Sequence, residues 1–322
     1  MRPPPSRHRH AGRMGRFIFR KVAESLFSIW GVVTVVFFVT RIIGDPATLF
    51  VPVGASDAQV AALNHQFGLD LPLWAQYFHY IGSIMHGDFG NSFIFNRSAM
   101  QVVMERLPAT VLLALCAMAA GMTLGCTAGA IAALRKGSMT ELVIMTLALL
   151  GQATPVFWLG IMLILWFAAD LHWLPAGGYG HLANLVLPCA TLAVFVSASI
   201  ARLLRSSILD ILKEDYIRTA RAKGLYPGTI FLWHIARNAL IPVATMTAIL
   251  SGELLGGSVV TETVFGWPGI GRLTIQAIEG NDFPVIQAAV FVEATIFVLI
   301  NLAIELQYRL LDPRIGQQRQ GA

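Results

Sequence analysis

Charge is scarce in this sequence: Asp, Glu, Lys and Arg together make up 13% of its 322 residues, about half the share of an ordinary soluble globular protein. The deficit is matched by 56% hydrophobic residues, and these run in long blocks. Length alone would allow two soluble domains, but the blocks divide the chain better into membrane spans and loops. Cysteine is nearly absent. Cys116, Cys126 and Cys189 all fall in apolar segments, without metal-ligand spacing and too few for a disulfide framework. They read as small packing residues.

Catalytic motifs are lacking too. There is no G-x-x-x-x-G-K-[S/T] phosphate loop, so this chain is not expected to hydrolyse ATP itself. Neither an H-E-x-x-H pair nor a G-x-S-x-G elbow occurs. The eight histidines fall outside the apolar spans, and His79 and His172 are scattered rather than grouped as ligands. No metal or cofactor is expected in this chain. The formal net charge of +5 sits beside apolar runs, as the positive-inside effect places it, and not in a patch for nucleic acid.

What is present is apolar length. A spanning helix needs about 20 apolar residues to cross roughly 30 Å of hydrocarbon. Six segments approach that: about 22–43, 107–134, 141–169, 183–201, 239–261 and 285–308. Arg16, Arg20 and Lys21 precede the first, which lacks a convincing cleavage signal. Residues 16–43 therefore read as an uncleaved first span. The second is rich in small residues around Gly121, Gly125 and Gly129, which allow close helix contact in lipid. In the third, Pro155 favours a kink.

Basic residues set the direction. Residues 1–21 hold seven Lys or Arg and no acid. Arg135 and Lys136 follow the second span, and Arg202, Arg205, Lys213, Arg218, Arg221, Lys223 and Arg237 follow the fourth. The tail 309–322 adds Arg309, Arg314 and Arg319. The alternate loops are poor in Lys and Arg. The expectation is an all-α integral membrane protein with six transmembrane helices and both termini cytoplasmic. Residues 1–15 read as a disordered basic extension and 44–106 as an extracytoplasmic loop region. A five-span core covers 107–308, with a cytoplasmic loop over 202–238.

The outer region holds Phe67-Gly68-Leu69-Asp70, then Tyr77, Phe78 and Tyr80, then Gly87-Asp88-Phe89-Gly90-Asn91-Ser92. The aromatics suit an interfacial amphipathic segment, and the glycines with Asp88 suit a turn. A docking site for a soluble partner and a packed cap both fit these residues.

The loop 202–238 is the most informative. Residues 202–213 have helical apolar spacing and either continue the fourth span or lie along the membrane surface. A short second helix follows, stopped by Gly224 with Pro227 just beyond. Ala220 and Ala222 offer little bulk to a partner groove, and Arg218, Arg221 and Lys223 suit pairing with its acids. A solvated topogenic loop fits the same residues.

The run Asp215-Tyr216-Ile217-Arg218-Thr219-Ala220-Arg221-Ala222-Lys223-Gly224-Leu225, with His234, Asn238 and Pro242 after it, resembles the permease signature of ABC importers. More narrowly it resembles the membrane subunit of the dipeptide, oligopeptide and nickel group. The resemblance extends through Gly44-Asp45-Pro46-Ala47, Gly68-Leu69-Asp70, Gly87-Asp88-Phe89-Gly90-Asn91-Ser92 and Arg106-Leu107-Pro108-Ala109-Thr110. It continues over Glu262-Thr263-Val264-Phe265-Gly266-Trp267-Pro268-Gly269-Ile270-Gly271 to Leu311-Asp312-Pro313-Arg314. Sugar-type permeases resemble a different, glutamate-led loop, and many relatives resemble one another in an aspartate where this chain has Glu305.

The resemblance implies the ABC importer permease fold in a bacterial inner membrane. It implies that Asp215, Tyr216, Arg218, Thr219, Ala220, Arg221, Ala222, Lys223, Gly224 and Leu225 form a coupling segment seated in a cytoplasmic ATPase. Two such ATPases, holding ATP and Mg, a second homologous permease subunit and an extracytoplasmic binding protein complete the implied assembly. The first-choice solute is a dipeptide or oligopeptide, with nickel, glutathione and other small solutes open. Glu253, Glu293 and Glu305 lie within the last two spans, where a carboxylate needs a partner, a cavity or water. Glu253 and Glu293 are the pathway candidates. A secondary transporter or channel would show inverted repeats or a dense polar lining, and an embedded enzyme a convergent catalytic set. Neither pattern is clear.

Overall fold

In lipid, a chain has to bond every backbone N–H and C=O internally, which apolar runs do as helix. The computed structural model describes residues 7–43, 65 and 70–311, and regular structure there is helical apart from one isolated antiparallel bridge, Asn91–Ser98. Residues 1–6, 44–64, 66–69 and 312–322 lie outside the described residues, and with them the Gly44-Asp45-Pro46-Ala47, Gly68-Leu69 and Asp312-Pro313-Arg314 motifs and most of the tail. Among the described residues, five helices are long and apolar enough to cross a membrane, and one sharply bent pair makes a sixth if counted as a single span.

The chain forms two compact units, one of residues 1–105 and 273–322 and one of 106–272. In the first, α1 (Arg7–Ile43) packs along α11 (Phe283–Leu311). Gln287 Nε2 donates to Thr40 Oγ1 between them at 3.1 Å. Of the basic extension expected over residues 1–15, residues 1–6 lie outside the described residues and α1 begins at Arg7. Arg, Ala and Met are good helix formers, and the apolar span supplies the nucleus they extend.

The aromatic segment that follows the first span is α2 (Leu73–Met85). Its Tyr77 and Tyr80 rings sit 5.4 Å and 5.2 Å from that of fully buried Phe37 on α1, and the Tyr77 hydroxyl is 2.8 Å from Thr34 Oγ1. Trp74 and Phe78 remain exposed. After it, Gly87 and Gly90 turn the chain with φ of +76° and +82°, values that glycine takes without strain. Fully buried Asp282 then ties this turn to the start of α11. It accepts from Ser92 Oγ at 2.5 Å and from the Ile94 N–H at 3.2 Å.

The second unit is built around α6 (Leu182–Ile211). Residues 202–211 continue the fourth span, so the surface-lying alternative does not hold. Its apolar face, including Leu192, Val196, Ile200, Leu204 and Ile208, enters the buried core. The long α3 (Ala99–Leu134), which includes Pro108, meets it through the small-residue stripe. A Cβ at Gly121, Gly125 or Gly129 would come within 2.5, 2.8 and 2.6 Å of Val196, Ile200 or Ser197 O, and Ala201 O. Only the missing side chains permit that approach. The three cysteines are free and half-buried, and Cys126 and Cys189 pack against the core.

The third expected span is not one straight helix. Helix α4 (Met139–Ala153) and α5 (Val156–Leu163) with its π-helical extension Ile164–Asp170 are bent by 105° at the break between them. Thr154 is extended, with ψ of 126°, because the following proline ring disfavours helical backbone before it. Pro155 has no N–H to carry the ladder across. Ser138 caps α4, and Glu141 reaches back to the Gly137 N–H at 2.5 Å, a reciprocal start of the capping-box type. The Glu141 carboxylate also takes the Arg205 Nε–H from α6 at 2.7 Å.

Candidate functional site: the short basic helix and its mounting

Helix α7 (Asp215–Ala222) stands between the fourth and fifth spans. Ile217 and Ala220, three residues apart, share one face and are buried, Ile217 completely. They join the core that contains Leu204, Ile208, Ile230 and Ile235. Ala220, expected with its neighbours as a partner contact, faces the chain's own interior here. Asp215, Tyr216, Arg218, Thr219, Arg221, Ala222, Lys223, Gly224 and Leu225 are all exposed.

The helix stops by a specific arrangement. The Leu225 N–H bonds Ala220 O at 3.4 Å and the Gly224 N–H bonds Arg221 O at 3.0 Å, the paired bonds of a Schellman motif. Gly224 takes φ of +74°, where an L side chain would be strained. Arg218 lies 3.5 Å from Asp215 and Lys213 lies 3.0 Å from Asp210, both pairs largely exposed. Such pairs hold a side chain weakly, which leaves these cations free to exchange partners. The outward face is therefore polar, mostly basic and fixed from behind by apolar contact. Leu225, Tyr226, Leu232 and Trp233 add exposed apolar surface close by in the chain.

The fifth span begins earlier than its hydropathy suggests. A turn of helix at Pro227–Thr229 leads into a π-helix, Ile230–Ala236, and then α8 (Arg237–Gly257). His234 consequently sits in the first turns of that span. Asn238 Nδ2 donates to Tyr216 Oη at 3.2 Å and to His234 O at 2.8 Å.

Of the two pathway candidates, Glu253 on α8 is exposed, between buried Gly252 and Leu254, and Glu293 on α11 is half-buried. The side chain of Glu305 lies outside the described residues. Among the described residues the fully buried carboxylates are others, Glu262 and Asp282, which mid-span position does not flag because both sit at helix ends. Glu262 belongs to α9 (Val259–Val264). Its carboxylate accepts from Thr110 Oγ1 at 2.8 Å, Ser258 Oγ at 3.0 Å and the Arg272 N–H at 3.0 Å. Gly269 leaves room for it: a Cβ there would be 2.2 Å from the carboxyl group. The Trp267 indole donates to Ala109 O at 2.9 Å, and α10 (Ile270–Glu279) starts directly after this turn. The signal for the node is the glycine-rich run 262–271 itself.

Comparison with known proteins gives this arrangement its family. Residues 125–317 match the family described as binding-protein-dependent transport system inner membrane component, and residues 14–114 match its N-terminal component. The chain is 38% identical to the di/tripeptide transport system permease protein DppB of Pseudomonas aeruginosa (strain UCBPP-PA14), covering 94% of this chain and 99% of that one. It is 40% identical to the glutathione transport system permease protein GsiC of Escherichia coli (strain K12), with the same coverage of 94% and 99%. Among solved structures, an inward-facing MetNI methionine ABC transporter shares the fold at a TM-score of 0.56 and 19% identity, over 66% of this chain and 97% of that one. A multi-pass helical protein with these matches along nearly its whole length belongs to the family of binding-protein-dependent transport system inner membrane components.

Proposed function

We propose that this chain is the permease subunit of an ATP-driven importer for small peptides and forms half of the solute pathway. The observation that carries the reading is the mounting of α7: Ile217 and Ala220 are rooted in the chain's own core while Arg218, Arg221, Ala222 and Lys223 face outward. A surface held rigidly from behind and charged in front is what a moving partner needs to push on. In this reading each of two cytoplasmic ATPases, which bind ATP and Mg, seats such a segment. A second, homologous permease subunit closes the pathway, and a binding protein delivers solute from the outer side. Both termini lie in the cytoplasm with the basic loops. ATP binding favours one opening of the pathway over the other, which is the differential free energy that transport requires.

Relatives named for dipeptide, tripeptide and glutathione transport support the solute class; glutathione is itself a small peptide. Glu253 is proposed to face the pathway. It makes no hydrogen bond or ion pair among the described residues, and a carboxylate facing lipid is costly.

The test is purification of the native assembly in mild detergent, with a photo-crosslinker at Ala222. The expected result is a nucleotide-hydrolysing subunit in the complex, identified by mass and joined to position 222. A complex without such a subunit would overturn the reading.

A further inference from the structure

The ring hydroxyl of Tyr216 reaches across from α7 to the start of the fifth span. Asn238 Nδ2 donates to it at 3.2 Å and also to His234 O at 2.8 Å, and the Tyr216 hydroxyl is itself 3.5 Å from that carbonyl. His234 belongs to the π-helix Ile230–Ala236, and Asn238 to the first turn of α8. One carbonyl of the π-helix thus gathers polar groups from α7 and from α8.

Two physical points make this junction a place where motion passes. A π-helical stretch bonds i to i+5, is rare, and recurs at functional sites. This one lies between α7 and the middle of the span. Second, the apolar seat of Ile217 and Ala220 holds α7 in place, but apolar contact is non-directional. The Tyr216–Asn238 hydrogen bond is directional, and it bypasses the intervening loop by linking α7 straight to α8.

We infer that Tyr216 and Asn238 form a latch that transmits displacement of α7 to the fifth span, with the π-helix as its flexible joint. Both are positioning residues. The inference rests on the proposed function, since it needs a partner that moves α7.

The experiment uses the assembled transporter in proteoliposomes. Its native cysteines are replaced, and an environment-sensitive dye is placed at Ile249→Cys, an exposed mid-span position on α8. The probe is ATP with Mg, trapped by vanadate, so the readout does not depend on knowing the solute. Tyr216→Phe keeps the ring and removes only the hydroxyl; Asn238→Ala removes the other partner. Each is expected to cut the ATP-driven dye response about fivefold, the factor that one ordinary hydrogen bond makes in an equilibrium. The double variant should be little worse than Asn238→Ala alone, because both substitutions remove the Tyr216–Asn238 hydrogen bond and Asn238→Ala also removes the bond to His234 O. Responses equal to the parent, or losses that add in the double variant, overturn the latch. Loss of the ATPase from both variant complexes overturns it too, placing these residues in docking instead. Absence of any ATPase from the parent complex overturns the proposed function together with the latch.

Discussion

Thr110 and Glu262, 152 residues apart in the chain, are joined by a buried hydrogen bond of 2.8 Å, from the Thr110 hydroxyl to the Glu262 carboxylate. The same hydroxyl accepts the Ile270 N–H at 2.8 Å, so a single threonine on α3 holds both α9 and the start of α10. The glycine-rich turn between them has few side chains with which to fix itself. Its shape is set by this carboxylate and by its own Trp267 indole, which donates to Ala109 O on α3.

Replacing Glu262 with Ala leaves the Thr110 and Ser258 hydroxyls and the Arg272 N–H without their acceptor in a dry site. The expected loss is about 3 kcal/mol or more, read as a midpoint several degrees lower in thermal denaturation of the detergent-solubilised protein. An unchanged midpoint would show that the node does not hold the turn.

At Gly125, an added Cβ would lie 2.8 Å from both Ile200 Cβ and Ser197 O, and the latter is backbone that cannot rotate away. Gly125→Val is expected to force α3 and α6 apart and cost about 1–3 kcal/mol. Gly31→Ala is the control, since nothing lies within 4 Å of its Cβ position. The measure is the fraction of monodisperse protein recovered after mild heating. Equal recovery of the two variants contradicts the close packing.

Gly224 presents a different case. A Cβ there meets nothing within 4 Å, yet φ is +74°. Gly224→Ala is therefore expected to act through backbone strain alone, about 1 kcal/mol, loosening the stop of α7 without disturbing the core. The expected signature is an intact complex that hydrolyses ATP but imports less solute per ATP. Unaltered coupling would mean that the stop plays no part in transmission.

For Glu253, exposure without a partner among the described residues predicts contact with water in at least one transport state. A cysteine at this position, in a cysteine-free chain, should react with a membrane-impermeant thiol reagent when the transporter is cycled with ATP. Failure to react in every nucleotide state would remove Glu253 from the pathway.

Features set by one stretch of chain are legible in its residues alone. The stop at Gly224 and the small-residue stripe of α3 follow from residue type and spacing. Pro155 announces an interruption, but the 105° between α4 and α5 depends on how both halves pack against α6. Spacing also places Ile217 and Ala220 on one face, while an alanine carries no mark of whether that face looks inward or outward; burial against Leu204 and Ile208 decides it. Glu262 and Asp282 are invisible as sites because their partners, Thr110 and Ser92, are 152 and 190 positions away. The hydroxyl of Tyr216 is in the same position, since its link to Asn238 exists only once α7 folds back on the fifth span.

A partner's nucleotide cycle, delivered through α7, is proposed to drive the spans. Its most direct test is uptake of a labelled dipeptide and of labelled glutathione into proteoliposomes holding the purified assembly and its binding protein. The account predicts uptake of at least one of them with ATP and Mg, none with ADP, and loss of uptake when α7 is crosslinked to the partner through Ala222→Cys. Equal uptake without any nucleotide would contradict it.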